Sequence, residues 1–243
     1  MTAKLISVIH PTRRLPLALK VKESWLAAAQ NKDIIEYFIV CDQETHPTQD
    51  PVEMEADRVN LGIYYSPGNT SVKANNYGAS KSSGDIIMML QDDMTQDVKQ
   101  GWDTDLIGRL PADWKTKELA IWVGCGLHNP DGSSLCGHIV MTRPHYSRLG
   151  YFIPPWYYHL EADLHFSYLS QKQKTALDLR RELVWKHEHH RPDVDPAPYG
   201  RVYNSVNDSG ETWQKHDYRT FWDYAKPHID ATGTDLPLDF KLP

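Results

Sequence analysis

Only three cysteines occur in the 243-residue chain, Cys41, Cys125 and Cys136, an odd and widely spaced set that makes no disulfide framework and suits a reducing compartment. No pair of them has the close spacing of a zinc site. Long apolar runs are missing too. The N-terminal stretch Leu5–Ile9 is too short for a signal peptide and far too short to span a bilayer, which predicts a cytoplasmic protein with no membrane association. A basic excess is also absent: 26 Lys and Arg stand against 32 Asp and Glu, and the net charge of −6 argues against a broad nucleic-acid-binding surface, though not against a local basic patch. The loop at residues 11–14, P-T-R-R, has no glycine, so it is no glycine-rich phosphate cradle. Internal repeats and low-complexity tracts are not found.

What the chain does have is enough length and apolar content, 40%, for one large α/β domain or two small ones. Eight Trp and thirteen Tyr form a heavy aromatic load, suited to stacking on flat ligands or simply to filling the core. Leu5–Ile9 reads as a buried strand stopped by Pro11, followed by a helix with Pro16 in its first turn and Leu17, Val21, Trp25 and Ala28 on one face. A second buried strand covers Ile34–Cys41 and ends at Asp42. Residues 43–57 are polar and Pro-containing, hence a loop, and a weaker strand covers Gly62–Tyr65.

Ser71–Lys81 reads as a helix broken before Gly84. Asp85–Leu90 is the strongest strand and runs directly into Q-D-D-M at residues 91–94. Further on, the pattern predicts a helix at Trp102–Leu110, strands at Leu119–Val123 and His138–Thr142, and a short helix from Arg143 to Leu149 closed by Gly150. An aromatic, Pro-broken stretch then covers Tyr151–Tyr158, followed by a helix over Glu161–Lys174, a short strand over Leu183–His187 and a helix near Tyr218–Ala225. Alternation of strand and helix argues for a mostly parallel, Rossmann-like central sheet flanked by helices. Residues 1–190 form the domain, and 191–243 a polar C-terminal extension packing on it.

In such a sheet ligands collect at the carboxyl ends of the strands, which brings the P-T-R-R loop, Asp42 and the pair Asp92–Asp93 to one edge. Two adjacent acids there suit Mg²⁺ or Mn²⁺, which take one or two protein carboxylates and complete their shell with phosphate oxygens. A solvated turn is the plainer reading of an Asp-Asp pair; its place at the end of a buried strand favours the site.

The succession S-V-I-H-P-T-R-R (7–14), I-V-C-D (39–42) and N-N-Y-G-A-S-K-S-S-G-D-I-I-M-M-L-Q-D-D-M (75–94), continued by R-L-G-Y (148–151) and L-E-A-D-L (160–164), resembles the GT-A fold nucleotide-sugar glycosyltransferases over roughly Leu5–Leu169. Within them it is most similar to the compact glycosyltransferases of phage and environmental viral sequences, some of which decorate hydroxymethylated DNA bases. The resemblance implies transfer of a sugar from a nucleotide-diphosphate donor, a UDP-sugar first, to an acceptor hydroxyl on such a base, a glycan or a small molecule, with Mn²⁺ or Mg²⁺ offsetting the charge of the departing diphosphate.

Carried onto this chain, it implies that Pro11, Thr12 and Arg13 line the nucleotide, that Asp42 reads the base edge, and that Asn75 and Asn76 border the nucleotide or donor sugar. Asp93 becomes the principal metal ligand, with Asp92 beside it on the metal or a ribose hydroxyl. Met94 departs from the pattern, since many relatives have an acid or polar residue there, and this leaves open which aspartate binds directly. Arg13 can also be read as a surface charge, and Asn75 and Asn76 as helix-surface polarity.

Glu161 and Asp163 fall where inverting members of the fold carry the acid that deprotonates the acceptor. Asp163 is the better match, because it directly precedes an apolar helical run; a helix cap is the alternative for either. His187 and His189 share one face of an extended segment beside Glu188 and His190, so they are candidates to complete the metal shell, or else an exposed polar loop. Trp156 is an acceptor platform or a packed aromatic. Two rival functions remain: a nucleotidyltransferase, disfavoured by the missing glycine-rich basic loop, and a catalytically silent carbohydrate-binding module.

Overall fold

The computed structural model describes residues 4–42, 61–66, 70–94, 98–125, 138–186, 205–207 and 209–242. Its centre is a seven-stranded sheet in the order β3-β2-β1-β4-β6-β5-β7. The strands β1 (Ile6–Thr12), β2 (Ile35–Asp42), β3 (Leu61–Ser66) and β4 (Ile86–Met89) pair in parallel, with α1 (Leu15–Ala28) between β1 and β2 and α2 (Ser71–Lys81) between β3 and β4. β6 (His138–Thr142) lies antiparallel to both β4 and β5 (Ala120–Val123), and β7 (Ala176–Asp178) is parallel to β5. Six strands therefore run one way and β6 alone runs against them.

Alternation along each strand sends side chains to two cores. Ile6, Val8, Ile35, Tyr37, Ile39, Ile86, Met88, Ile121 and Val123 join one, under α1 and α3 (Trp102–Gly108). Ile9, Phe38, Val40, Ile87, Met89, Ala120 and Trp122 join the other, under α2 and α5 (Ala162–Lys172). Phe221, Ala225, Ile229 and Leu236 from the C-terminal segment belong to this second core, so that segment shares the domain's packing. In the first core Trp25 meets the edges of Trp102 and Trp185 at 5.0 and 5.3 Å, an arrangement that satisfies the ring quadrupoles.

α2 lies close enough on the sheet that a Cβ on Gly78 would approach Ile9 Cγ2 to 2.8 Å and Val40 Cγ2 to 2.9 Å, so only glycine fits there. Among the described residues no helix is long and apolar enough to cross a membrane.

Several elements differ from the sequence expectation. β1 continues through Pro11 to Thr12. Ile9 O accepts from Leu90 N, so Ile9 faces β4 and, by alternation, so does Pro11; β4 ends at Met89, and no ladder bond is lost to the missing N–H. β6 is reversed, and β7 is a strand where none is expected.

Leu183–His187 is not a strand within the described residues. Val184 makes a single bridge to Gly124, and His187 lies outside them. The helix expected near Tyr218–Ala225 is much longer, running from Trp213–Arg219 through a π-helical stretch Thr220–Ala225 into Lys226–Thr232. The loop expected over 43–57 lies outside the described residues, as does the segment His187–His190.

Candidate active site

Strand register explains the first half of the site. Ile9 is paired with Met89 across β1 and β4, so three residues further on Thr12 and Asp92 come level at the carboxyl edge. On the other side of β1, Thr12 is level with Cys41, and Asp42 pairs with Ser66, which places the end of β2 on the same edge.

Asp92 is almost wholly buried and gathers four hydrogen bonds from three side chains. His10 Nε2 stands 3.0 Å from Oδ1, the Thr12 hydroxyl donates to both oxygens at 2.9 and 3.0 Å, and Arg14 Nε donates to Oδ2 at 3.1 Å. Behind His10, the Tyr37 hydroxyl lies 2.7 Å from Nδ1. Burial, reinforced by Asp92, pushes the Tyr37 phenol well above its ordinary range, so it keeps its proton. Every donor then faces an acceptor when Tyr37 donates to Nδ1 and the Nε2–H of His10 donates to Asp92.

Asp93, next in line, is half-exposed and turns toward a different neighbourhood. His159, whose Nδ1 is 2.8 Å from the Ser71 hydroxyl, feels Asp217, Arg13 and Asp93 together. Desolvation by the surrounding chain lowers its pKa although the residue is exposed at the surface; Asp217 opposes the shift, Arg13 adds to it and Asp93 opposes it.

Met94, the residue that departs from the pattern, is buried in the first core, and its carbonyl accepts from Trp25 Nε1 at 2.9 Å. A polar residue there would be withdrawn from the edge, so the side chain anchors the turn. Among the described residues no group of three or more His, Cys, Asp or Glu is gathered as for a metal held by protein alone.

Asn75 and Asn76 sit on α2, whose N-cap Thr70 accepts from Lys73 N. Asn75 is buried, with its amide on Ser71 O at 3.0 Å and its Oδ1 lacking a hydrogen-bond partner among the described residues. Asn76 is neither surface polarity nor directed at the β1–β4 edge. Its Oδ1 accepts from Phe152 N and Ile153 N at 2.8 and 2.9 Å, and its Nδ2 donates to Ile153 O at 2.8 Å, so it brackets the loop that follows α4 (Arg143–Leu149).

That loop is held again at its far end. Asp217, fully buried at the start of the long C-terminal helix, accepts from the backbone amides of Tyr158, His159 and Leu160 at 2.9, 2.8 and 2.8 Å. In the middle, Trp156 stacks on His165, Tyr157 OH is 2.7 Å from His165 Nδ1, and His165 Nε2 is 2.8 Å from Asp235. Burial lowers His165 to about 3 and raises Asp235 to about 7, so a neutral imidazole faces a protonated carboxyl and the pair holds one proton across that interval.

The loop ends at Glu161, the N-cap of α5, with φ 59° and ψ −4°. A non-glycine residue in the left-handed region costs of order 1–3 kcal/mol and is held there by its surroundings. Burial, then Asp163 and Asp217, raises the Glu161 carboxyl above its ordinary value. Asp163 lies in the first turn of α5 and accepts from Leu164 N at 2.9 Å.

Of the residues singled out from sequence, Thr12 and Asp92 meet directly, and Arg13 and Asp93 act on one imidazole. Glu161 and Asp163 are neighbours. Pro11 is the last-but-one residue of β1, level with Val40, the side chain of Asp42 is not described, and His187 and His189 lie outside the described residues. Sequence reasoning missed His10, Tyr37, Arg14, Ser71, His159 and Asp217. Strand periodicity could have found Tyr37, inside the strand expected over Ile34–Cys41, and His10, one residue past the strand expected over Leu5–Ile9; nothing in the local pattern marks Asp217.

No protein-family model matches the chain, and no curated protein matches it. Solved structures do. Residues 1–349 of TarS from S. aureus, in complex with UDP, superpose with a TM-score of 0.56 at 14% identity, over 94% of this chain and 75% of that one. The mannosyltransferase PcManGT from Pyrobaculum calidifontis, in complex with GDP-Man and Mn²⁺, gives 0.58 at 14% identity over 98% and 67%. Glucosyl-3-phosphoglycerate synthase from Mycobacterium tuberculosis, in complex with Mn²⁺, UDP and glucosyl-3-phosphoglycerate, gives 0.51 at 11% identity over 80% and 75%. At such identities the likeness speaks for the fold: this chain has the GT-A-like α/β architecture.

Proposed function

We propose that this protein transfers a sugar from a nucleotide-diphosphate donor, a UDP-sugar first, to an acceptor hydroxyl. The observation that carries the reading is the carboxyl edge of β1 and β4, where a braced Asp92 is followed by a less buried Asp93 that acts on His159 together with Asp217, the same acid that helps raise the carboxyl of Glu161. Three neighbours of the same fold hold UDP or a GDP-sugar in their structures, two of them with Mn²⁺.

Thr12, Arg13 and Pro11 line the nucleotide in this reading, with Asp42 toward the base. Asp92, whose oxygens are engaged by His10, Thr12 and Arg14, fixes the shape of the edge and presents at most a remaining lone pair to a ribose hydroxyl. Asp93 is the carboxylate assigned to Mn²⁺ or Mg²⁺ in this reading. One carboxylate plus two phosphate oxygens is an ordinary protein share for either ion, and the residues fit a cation held jointly with the donor. When bound, the cation offsets charge on the leaving diphosphate. His187 and His189 remain candidates to join it. Arg13 supplies a fixed positive charge beside the same diphosphate.

Glu161 takes the acceptor proton. Desolvation and the two neighbouring acids keep its proton affinity high, which is what a general base needs, and Asp163 supports that field. This reverses the order the sequence suggests for the two acids, because Asp163 is turned to its own helix amide. Inversion at the anomeric carbon follows from a single displacement assisted by such a base.

The test is calorimetry of UDP binding with and without Mn²⁺, in the wild type and in Asp93→Ala, followed by hydrolysis assays with UDP- and GDP-sugars and acceptor assays on hydroxymethylated DNA and on glycans. Metal-dependent UDP affinity that disappears in Asp93→Ala is expected. An unaltered metal dependence in the variant removes Asp93 as the ligand, and no nucleotide binding at all removes the reading.

A further inference from the structure

A cavity of about 590 Å³ opens behind the 155–158 loop, walled by Trp156 and Tyr158 on one side and by Glu211 and Arg219 of the C-terminal extension on the other. A hollow of about 540 Å³ continues from it, sharing Ser209, Glu211 and Arg219 and adding Lys215. Volumes of this order match small-ligand sites. Two facts separate the cavity from a chance crevice.

The first is an unmet demand for acceptors. Trp156 Nε1 and Arg219 Nε are both buried and both lack a hydrogen-bond partner among the described residues, and both belong to side chains lining this one cavity. Buried donors are nearly always paired in folded proteins, so two orphans on side chains that line one hollow would each gain a partner if a small side-chain rotation turned them to the oxygen atoms of a ligand. The guanidinium is half-engaged already: its Nη2 donates to Glu211 at 3.3 Å, while its buried Nε has no partner among the described residues.

The second is local charge. Among the described lining residues of the two hollows Lys215, Arg219 and Lys241 stand with Glu211, three cations and one acid, in a chain whose net charge is −6. An anionic group is therefore favoured here and disfavoured over most of the remaining surface. The aromatic wall adds flat apolar surface: Tyr158 stacks on Trp213 at 5.3 Å with planes 7° apart, which holds its ring rigid. Rigid aromatic faces beside N–H donors and a guanidinium are the fittings for a sugar ring bearing a phosphate or a carboxylate.

We infer that this cavity binds an acidic saccharide, and that it is the acceptor subsite of the glycosyl transfer proposed above, on which the second half of the inference rests. Position supports the connection. Tyr158 is the first of the three residues whose amides Asp217 holds, and the same loop leads within three residues to Glu161, so a ligand in the cavity lies against the segment that presents the base.

The experiment measures binding of glucose 6-phosphate, glucuronate and uncharged glucose to the full chain by calorimetry or saturation-transfer NMR, in the wild type, Arg219→Gln, Trp156→Phe and Lys215→Gln, with UDP affinity read in the same samples. Expected is an acidic sugar bound at least about tenfold more tightly than glucose, weakened about tenfold by Arg219→Gln and several-fold by the other two, with UDP affinity unchanged. Preference for the phosphate or for the carboxylate names the acid. Trp156→Phe keeps the ring and removes the orphan donor, and Lys215→Gln is at the surface, so one misfolded variant does not decide the outcome.

Equal affinity for glucose and the acidic sugars, no binding of either acidic sugar, or binding indifferent to all three variants overturns the inference. A single-stranded oligonucleotide that binds with Arg219 dependence where neither acidic sugar does also overturns it, and gives the cavity to a nucleic acid. Loss of UDP binding in the wild type with sugar binding intact overturns the transferase reading and leaves the cavity standing.

Discussion

At the β1–β4 edge Thr12 meets Asp92 because two strands share a register, whereas the 155–161 loop is held by Asp217, 57 to 59 residues downstream, reaching back to three amides. The first arrangement is made by backbone geometry, and its side chains only finish it. The second has no regular backbone of its own. Its conformation is set by Asn76 at one end, His165 in the middle and Asp217 at the other, each a side chain from a different helix. In the transferase reading, a site built half in each way would keep its nucleotide side stiff and its acceptor side dependent on distant residues.

The largest expected effect separates the halves by chemistry. Glu161→Gln is expected to reduce turnover on the order of 100- to 10,000-fold with UDP affinity unchanged. Because burial and the acids at 163 and 217 raise the Glu161 pKa, wild-type kcat/KM is expected to climb with pH through a midpoint above the ordinary glutamate value, since the base works only when ionised. Steady-state kinetics across pH check both points, and turnover within a few-fold of wild type would pass the role to Asp163.

Next comes stability. Asp92→Ala leaves buried donors on His10 and Thr12 without their acceptor and is expected to cost about 1–3 kcal/mol, while Asp93→Ala costs less than about 1 kcal/mol. Urea titration of the two variants compares them, and equal losses would mean that the edge does not distinguish the two acids.

A smaller effect sharpens the contrast from the loop side. Asp217→Asn keeps one acceptor oxygen, enough for the amides of His159 and Leu160 but not for that of Tyr158, and removes a charge that raises Glu161, so the acid limb of the kcat/KM profile is expected to move to lower pH together with a partial loosening of the loop. A limb that stays in place while kcat falls would assign Asp217 to loop support alone.

The smallest change concerns strain. Glu161→Gly frees the left-handed backbone of its side chain and is expected to raise stability by about 1 kcal/mol while abolishing turnover, as read by melting temperature and assay together.

This division also explains what the sequence could tell. Periodicity located β1, β2, β4 and α2 closely, because buried parallel strands and an amphipathic helix write their geometry into neighbouring residues, and with them Thr12 and Asp92. The direction of β6 was not legible, since alternation is the same in either sense. Asn76 is set beside the nucleotide or donor sugar by the family resemblance alone; its hydrogen bonds to Phe152 and Ile153 depend on a loop 76 residues away, which no local pattern shows. Asp217, in the polar run K-H-D-Y-R, carries no local mark of being fully buried.

The three amides on Asp217 also bear on the order of synthesis. The ribosome releases the strands and the Asp92–Asp93 turn early, and the segment 158–160 follows well before the carboxylate that organises it. Through that interval the emerging chain can close its nucleotide edge while the opposite wall still lacks its keystone. Domains assemble from the N-terminus as they are made, so binding competence is expected to precede transfer competence in time, and a stalled or shortened product ending before residue 217 would hold a nucleotide without the means to pass its sugar on.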